Sequence, residues 1–211
     1  LERIAKICLQ HNLTICSDEI HADFVYDGAK HIPIASLSPE VANRTITLFS
    51  PAKSFNVAGI SFSFAVIPDT GLRKRYEKAE QGLVPRPGAL GHTMAIAALR
   101  DCDGWFEQLL PYLQANRDAA ARFVGEEMPG VTMTPLEGTY LAWLDCRDAK
   151  VFGTPHEFFL KQAKVATVDG AVFGAGGQGF ARLNLACPRE RMLEGLERMR
   201  AALERSPWTI S

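Results

Sequence analysis

Three polar side chains stand inside or beside apolar stretches of this 211-residue chain and invite a chemical reading. Asp18 lies in LTICSDEI (residues 13–20), Lys53 in SPAKSFN between the apolar runs 46–49 and 57–67, and Arg182 in FARLNLACP (180–188). A lysine in such a setting is costly to bury unless it is paired, discharged or used for chemistry. Singly, each has a plain structural explanation: Asp18 could cap a turn, Lys53 could lay its stem along apolar surface, and Arg182 could pair with a core carboxylate. Together, with thirty-five positions from Asp18 to Lys53 and Arg182 near the C-terminus, they supply what a pyridoxal phosphate site needs. A buried carboxylate keeps the pyridine nitrogen protonated, so that the ring can act as an electron sink. An amine can form an imine with the aldehyde and then shuttle the substrate's Cα proton. A guanidinium fork holds the substrate carboxylate through two hydrogen bonds, for which lysine is a poor substitute.

The elements that must position these groups read as strands and helices in alternation. Residues 13–20, 44–50 and 60–68 are short runs rich in β-branched and aromatic residues, predicted as three strands of an α/β sheet, the first buried on both faces in a parallel arrangement. Asp18 then falls at a strand's carboxyl end, where open α/β sheets bind ligands. The chain opens in mid-helix, with Leu1, Ile4, Ala5 and Cys8 on one face and no preceding Met, so upstream sequence is expected to be missing. Helical patterning covers 70–80, 92–101 and a long stretch, 105–128, in which Phe106, Leu109, Leu110, Leu113, Ala120 and Val124 form an apolar face and Pro111 should start or kink the helix. The intervening 81–91, with its prolines and glycines, reads as a loop. Beyond Gly130 the order becomes strand, helix, strand, helix: Thr154 is a candidate N-cap with Pro155 in the first turn, and Met192, Leu196, Met199 and Leu203 make the stripe of the last helix. These patterns divide the chain into 1–104, a linking helix 105–128, and a small α+β domain 129–211.

Composition narrows the function classes. With 47% hydrophobic and 22% charged residues the chain is ordinary globular material, and a net charge of −1 supplies no basic footprint for nucleic acid or an anionic membrane. No apolar run approaches a membrane span and no signal segment is evident. Five cysteines, an odd number without a CxxC pair, read as reduced packing residues and point to the cytoplasm. His31, His92 and His156 lack metal-ligand spacing. The glycine-rich 170–180 lacks GxGxxG spacing before a helix, so it reads as a mobile connection into the Arg182 strand. Trp143 and Trp208 read as packing residues, and Gly138, Thr139 and Tyr140 as a strand turn near the substrate pocket.

Five separated segments, SDEIHADFVY, HIPIASLSPE, SPAKSFNVAGI, EGTYLAWLDCR and GFARLNLACPR, resemble in order the fold-type I pyridoxal phosphate enzymes of aminotransferase class I/II, and within them the C-S β-lyase (cystathionine β-lyase-like) subgroup. The resemblance implies an α/β fold: the C-terminal part of a PLP-transferase-like large domain, a mostly parallel sheet with helices, followed by the small α+β domain. It implies pyridoxal 5'-phosphate as cofactor, Asp18 as partner of the pyridine nitrogen, His21 near the 3-oxygen, Ser50 on the phosphate, Lys53 as the Schiff-base lysine and Arg182 on the substrate α-carboxylate. It further implies an amino-acid substrate and a homodimer. Where many aminotransferases of the class carry a tyrosine three residues after the aspartate and an arginine eight after the lysine, this chain has His21 and Ser61, which fits the lyase subgroup. The implied reaction is β-elimination from cystathionine-like or cysteine S-conjugate amino acids, giving pyruvate, ammonia and a thiol. An aminotransferase on the same scaffold is one alternative. A catalytically incomplete structural or dimerisation module is the other, since family members are about twice as long and their first half carries the phosphate loop, the stacking ring and an asparagine to the 3-oxygen.

Overall fold

A computed structural model describes residues 1–205; Trp208, read above as a packing residue, lies outside the described residues. The chain divides into two units, Leu1–Gln108 and Leu109–Ser211.

In the first unit, helix α1 (Glu2–Gln10) precedes strand β1 (Ile15–Asp18). Helix α2 (Pro39–Ala42) starts at Ser38, whose hydroxyl accepts from the Val41 amide at 3.2 Å, and leads into β2 (Thr45–Phe49). The single turn α3 (Pro51–Ser54) follows at once, then β3 (Phe64–Val66). The sheet order is β1-β2-β3, with β1 parallel to β2 (Ile15 beside Thr45, Asp18 beside Leu48) and β3 antiparallel to β2. Ala5, Ile15, Ile34 and Val41 form its buried apolar cluster.

Two expectations differ here. Strand β1 is not buried on both faces: Ile15 is buried, while Cys16 and Asp18 are exposed, because only one face of the strand is covered by described elements. On α1 only Ala5 is buried, and Leu1 and Ile4 face solvent. Beyond the sheet, α4 (Thr70–Glu80) is capped by Asp69, and α5 (Ala89–Asp101) takes in the end of the predicted loop.

Helix α6 (Asp103–Glu127) contains the unit boundary and runs through Pro111, which therefore does not start it. The helix is already under way eight residues earlier, so the proline costs it one amide donor rather than its beginning.

The second unit holds β4 (Thr132–Met133), β5 (Leu141–Asp145), α7 (Pro155–Phe158), β6 (Val168–Asp169), β7 (Phe180–Asn184) and α8 (Arg189–Glu204). The strands make an antiparallel sheet, β4-β5-β7-β6. Alternation along β5 and β7 sends Ala142, Leu144, Ala181 and Leu183 inward. Ala142, Leu144 and Leu183 meet the α8 stripe, of which Met192, Leu196, Met199 and Leu203 are all buried, and Ala120 and Val124 of α6. Each such large side chain contributes about 1.5 to 3 kcal/mol by leaving water. Thr154 caps α7 as expected, accepting from the Glu157 amide at 3.2 Å with Pro155 in the first turn. The fully buried amide side chain of Asn116 is satisfied: it donates to the Leu185 and Cys187 carbonyls at 3.0 and 2.9 Å and accepts from Arg189 Nε at 3.1 Å.

The glycine-rich stretch is a structured element. It folds into two 3-10 turns, Gly170–Phe173 and Ala175–Gly177. Gly170 and Gly177 approach so closely that a Cβ on either would overlap the other's carbonyl oxygen. The expectation of a mobile connection rested on glycine content alone; here two of the glycines permit close packing.

Candidate active site

The parallel pairing of β1 with β2 decides where the candidate residues fall. Both strands end on the same side of the sheet, so the segment after Asp18 and the turn after Phe49 lie side by side, and the Glu19 amide bonds the Leu48 carbonyl at 3.0 Å. Asp18, His21, Ser50 and Lys53 are thereby gathered at one sheet edge of the first unit, while Arg182 belongs to the second unit.

Asp18 is exposed, and one of its oxygens accepts from the Ile20 amide at 3.2 Å, the turn-capping bond foreseen as its plain explanation. Its other oxygen has no hydrogen bond to the described residues. The next residue behaves oppositely. Glu19 is buried, takes a hydrogen bond from Ser17 Oγ at 2.9 Å and pairs with His31 Nε2 at 3.0 Å. That clasp fixes the backbone on both sides of Asp18. His21 is half-buried, its ring 5.8 Å from that of Phe24.

Lys53 sits in α3, a helix of one turn that cannot hold itself. Pins at both ends hold it. At the start, buried Ser50 accepts from the Ala52 amide at 3.0 Å and donates its proton to the Phe62 carbonyl at 2.5 Å. At the end, buried Ser54 donates to Asp23 Oδ2 at 2.5 Å. Between them Lys53 is half-buried, and no carboxylate among the described residues pairs with its amine. The Asp23–Ser54 and Ser50–Phe62 bonds were not anticipated from sequence, because partners 31 and 12 residues apart leave no periodic signal.

In the second unit Arg182 is centred in the sheet, flanked by Trp143 on β5 and Val168 on β6. Its guanidinium lies 4.6 Å from the centre of the Phe173 ring, a cation–π contact supplied by the glycine-rich segment. Trp143 stacks on Phe180 and meets Phe173 edge-on, at 5.4 and 5.6 Å. Arg182 Nε is buried without a hydrogen-bond partner, an orphaned donor that a bound carboxylate would satisfy. Nearby, burial pushes the Tyr140 phenol up and the positive charge of Arg182 pulls it back. Thr139, before it, adopts the left-handed conformation at φ 60°.

No group of three or more His, Cys, Asp or Glu side chains among the described residues could hold a metal ion, and no helix among them is long and apolar enough to cross a membrane.

Comparison with known proteins agrees with the motifs. The family model for aminotransferase class I and II matches residues 1–199. Cystathionine beta-lyase PatB of Bacillus subtilis is 36% identical over 96% of this chain and 53% of its own length. A crystal structure of a PLP-bound putative aminotransferase from Clostridium difficile superposes with a TM-score of 0.89 at 37% identity, covering 96% of this chain and 53% of that one. Cystalysin from Treponema denticola, whose crystal structure contains pyridoxal 5'-phosphate, gives 0.89 at 31% identity, covering 96% and 52%. The chain thus spans about half the length of the relatives it matches. It belongs to the aminotransferase class I and II family.

Proposed function

We propose that the protein is a pyridoxal phosphate-dependent C-S β-lyase, cleaving cystathionine-like or cysteine S-conjugate amino acids to pyruvate, ammonia and a thiol. The observation that carries this reading is the donor set at one sheet edge: an amine with no paired carboxylate, Lys53, on a pinned turn beside the exposed carboxylate of Asp18. The residues present fit the cofactor, because Lys53 and one Asp18 oxygen are uncommitted. Asp18 would hold the ring nitrogen's proton, His21 would lie by the 3-oxygen, and Lys53 Nζ would hold the group covalently. Ser50 would contact the phosphate once its hydroxyl turned from the Phe62 carbonyl. Pyridoxal phosphate, when bound, supplies a sink for the electron pair left at a substrate's Cα.

The chain's own residues supply the remaining steps. Arg182 orients the substrate through its α-carboxylate, with Phe173 stacked against the guanidinium to hold it in plane. Released from the group by the substrate's own amine, Lys53 Nζ would take the Cα proton as general base, and its pinned turn keeps the amine at the sheet edge. A homodimer in the cytoplasm belongs to the same reading. Exposed Leu83, Val84 and Leu90 offer apolar surface for a partner to cover, and five free cysteines suit a reducing compartment.

The test separates elimination from transamination, which the likeness to a putative aminotransferase makes the second reading. Elimination needs no second substrate. The purified full-length protein, given cystathionine or cystine without a keto acid, should release pyruvate continuously. A single turnover that gives the substrate's own keto acid in place of pyruvate, and resumes only when a second keto acid is added, establishes the aminotransferase instead.

A further inference from the structure

We propose that Asp23 is a positioning residue for Lys53, acting through Ser54; the inference rests on the assignment of Lys53 as the cofactor-bearing lysine. The hydroxyl of Ser54, next to Lys53 in the chain and 1% exposed, donates to Asp23 Oδ2 at 2.5 Å. Asp23 lies five residues after Asp18, in the segment that also carries His21. The bond therefore ties the lysine's turn to the segment that follows the aspartate. A second contact makes the same connection. Phe24 and Phe55, the residues after Asp23 and Ser54, both pack on the ring of Phe106, at 5.7 and 6.1 Å. The hydrogen bond is thus backed by a small aromatic cluster, and Phe24 is 1% exposed.

The division of labour follows from the shortness of α3. Four residues make one helical turn, which has no internal rigidity to aim a side chain. Ser50 caps its start by accepting from the Ala52 amide, and Asp23 fixes its end. A hydrogen bond to an ionised acceptor is stronger than a neutral one and more demanding in direction. Removing it leaves the start of the turn anchored and lets the end swing, carrying Lys53 away from Asp18.

The experiment measures how fast Lys53 is labelled when the full-length protein is mixed with pyridoxal phosphate and trapped with borohydride, read by peptide mass mapping. In the wild type the label should fall on Lys53; a label on another lysine defeats the proposed function, and this inference with it. Given labelling at Lys53, Ser54→Ala and Asp23→Ala should each slow it about tenfold, and the double variant should be no slower than either single one. Asp23→Asn, which keeps the shape and one acceptor oxygen, should fall between wild type and Asp23→Ala, and it decides the matter if the alanine variants do not fold. Wild-type labelling rate and pH profile in the folded variants, with only a lower melting temperature, would show a role in stability alone and overturn the inference while leaving the proposed function standing. Slowing in the double variant equal to the product of the two single effects would also overturn it, since the residues would then act separately.

Discussion

Each of the two units has its own internal means of cohesion, and the two differ. In the second, eighteen buried apolar residues among those described form one cluster on which both the sheet and α8 close. In the first, the corresponding cluster is Ala5, Ile15, Ile34 and Val41, and the sheet edge that carries Asp18 and Lys53 is shaped by directed bonds: Glu19 to Ser17 and His31, Ser50 to Phe62, Ser54 to Asp23. A packed core tolerates small displacements of its members and resists loss of volume. Hydrogen bonds between loops fix direction and contribute less to stability. The unit bearing the lysine is thus built for aim, and the unit bearing the arginine for cohesion.

Substitutions in each unit should expose this difference. The largest effect is expected at Lys53→Ala: activity should fall by a factor of about a thousand or more. The urea midpoint should scarcely move, because the amine makes no bond to the described residues. A variant that loses both together would contradict a lysine kept for chemistry. Leu144→Ala should do the reverse. The side chain is fully buried between the sheet and its helices, so its truncation should cost about 2 to 5 kcal/mol of stability in urea titration. Arg182→Lys is intermediate in kind, since the residue sits in the cohesive unit yet keeps an orphaned donor. Substrate binding should weaken by about 2 to 4 kcal/mol, read as a raised KM, with stability little changed.

The smallest effect concerns pH. Burial pushes the Cys146 thiol up to about 12, with the neighbouring Asp145 carboxylate adding to the shift. The folded chain therefore keeps a proton that an unfolded chain gives up near pH 8.5. The stability it confers is fully present below that pH and is lost as pH rises toward about 12. At pH 9.5 the loss should be about 1.4 kcal/mol, and Cys146→Ala should flatten the slope. An unchanged slope would place the thiol in contact with water. Asp145 itself is held low by its bond to Arg147, so its own contribution fades only in acid.

What could be read from the residues beforehand follows the same division. The stripe of α8 and the Thr154 cap were plain in the spacing, because both depend on neighbours within a turn or two. Asp18, Lys53 and Arg182 stood out because charge in an apolar run is rare. The antiparallel pairing of β3, the two-residue strand β6 and the exposed face of β1 were not visible, since each depends on what lies across the sheet rather than along the chain. Asp23 was hidden for the same reason. It is an ordinary loop aspartate until Ser54 is placed beside it.

The interlocked pair Gly170 and Gly177 has a consequence for anyone wishing to alter substrate preference. Phe173, which stacks on Arg182, sits between them, exposed like Val172. The segment is a buckle with two fixed jaws and a free tongue. If residues 170–177 were randomised and functional clones sequenced, positions 170 and 177 should return almost only glycine, while 172 should accept many side chains and 173 chiefly aromatic ones. If Arg182 binds substrate as proposed, new selectivity is to be sought by redesigning the tongue while both jaws are left untouched.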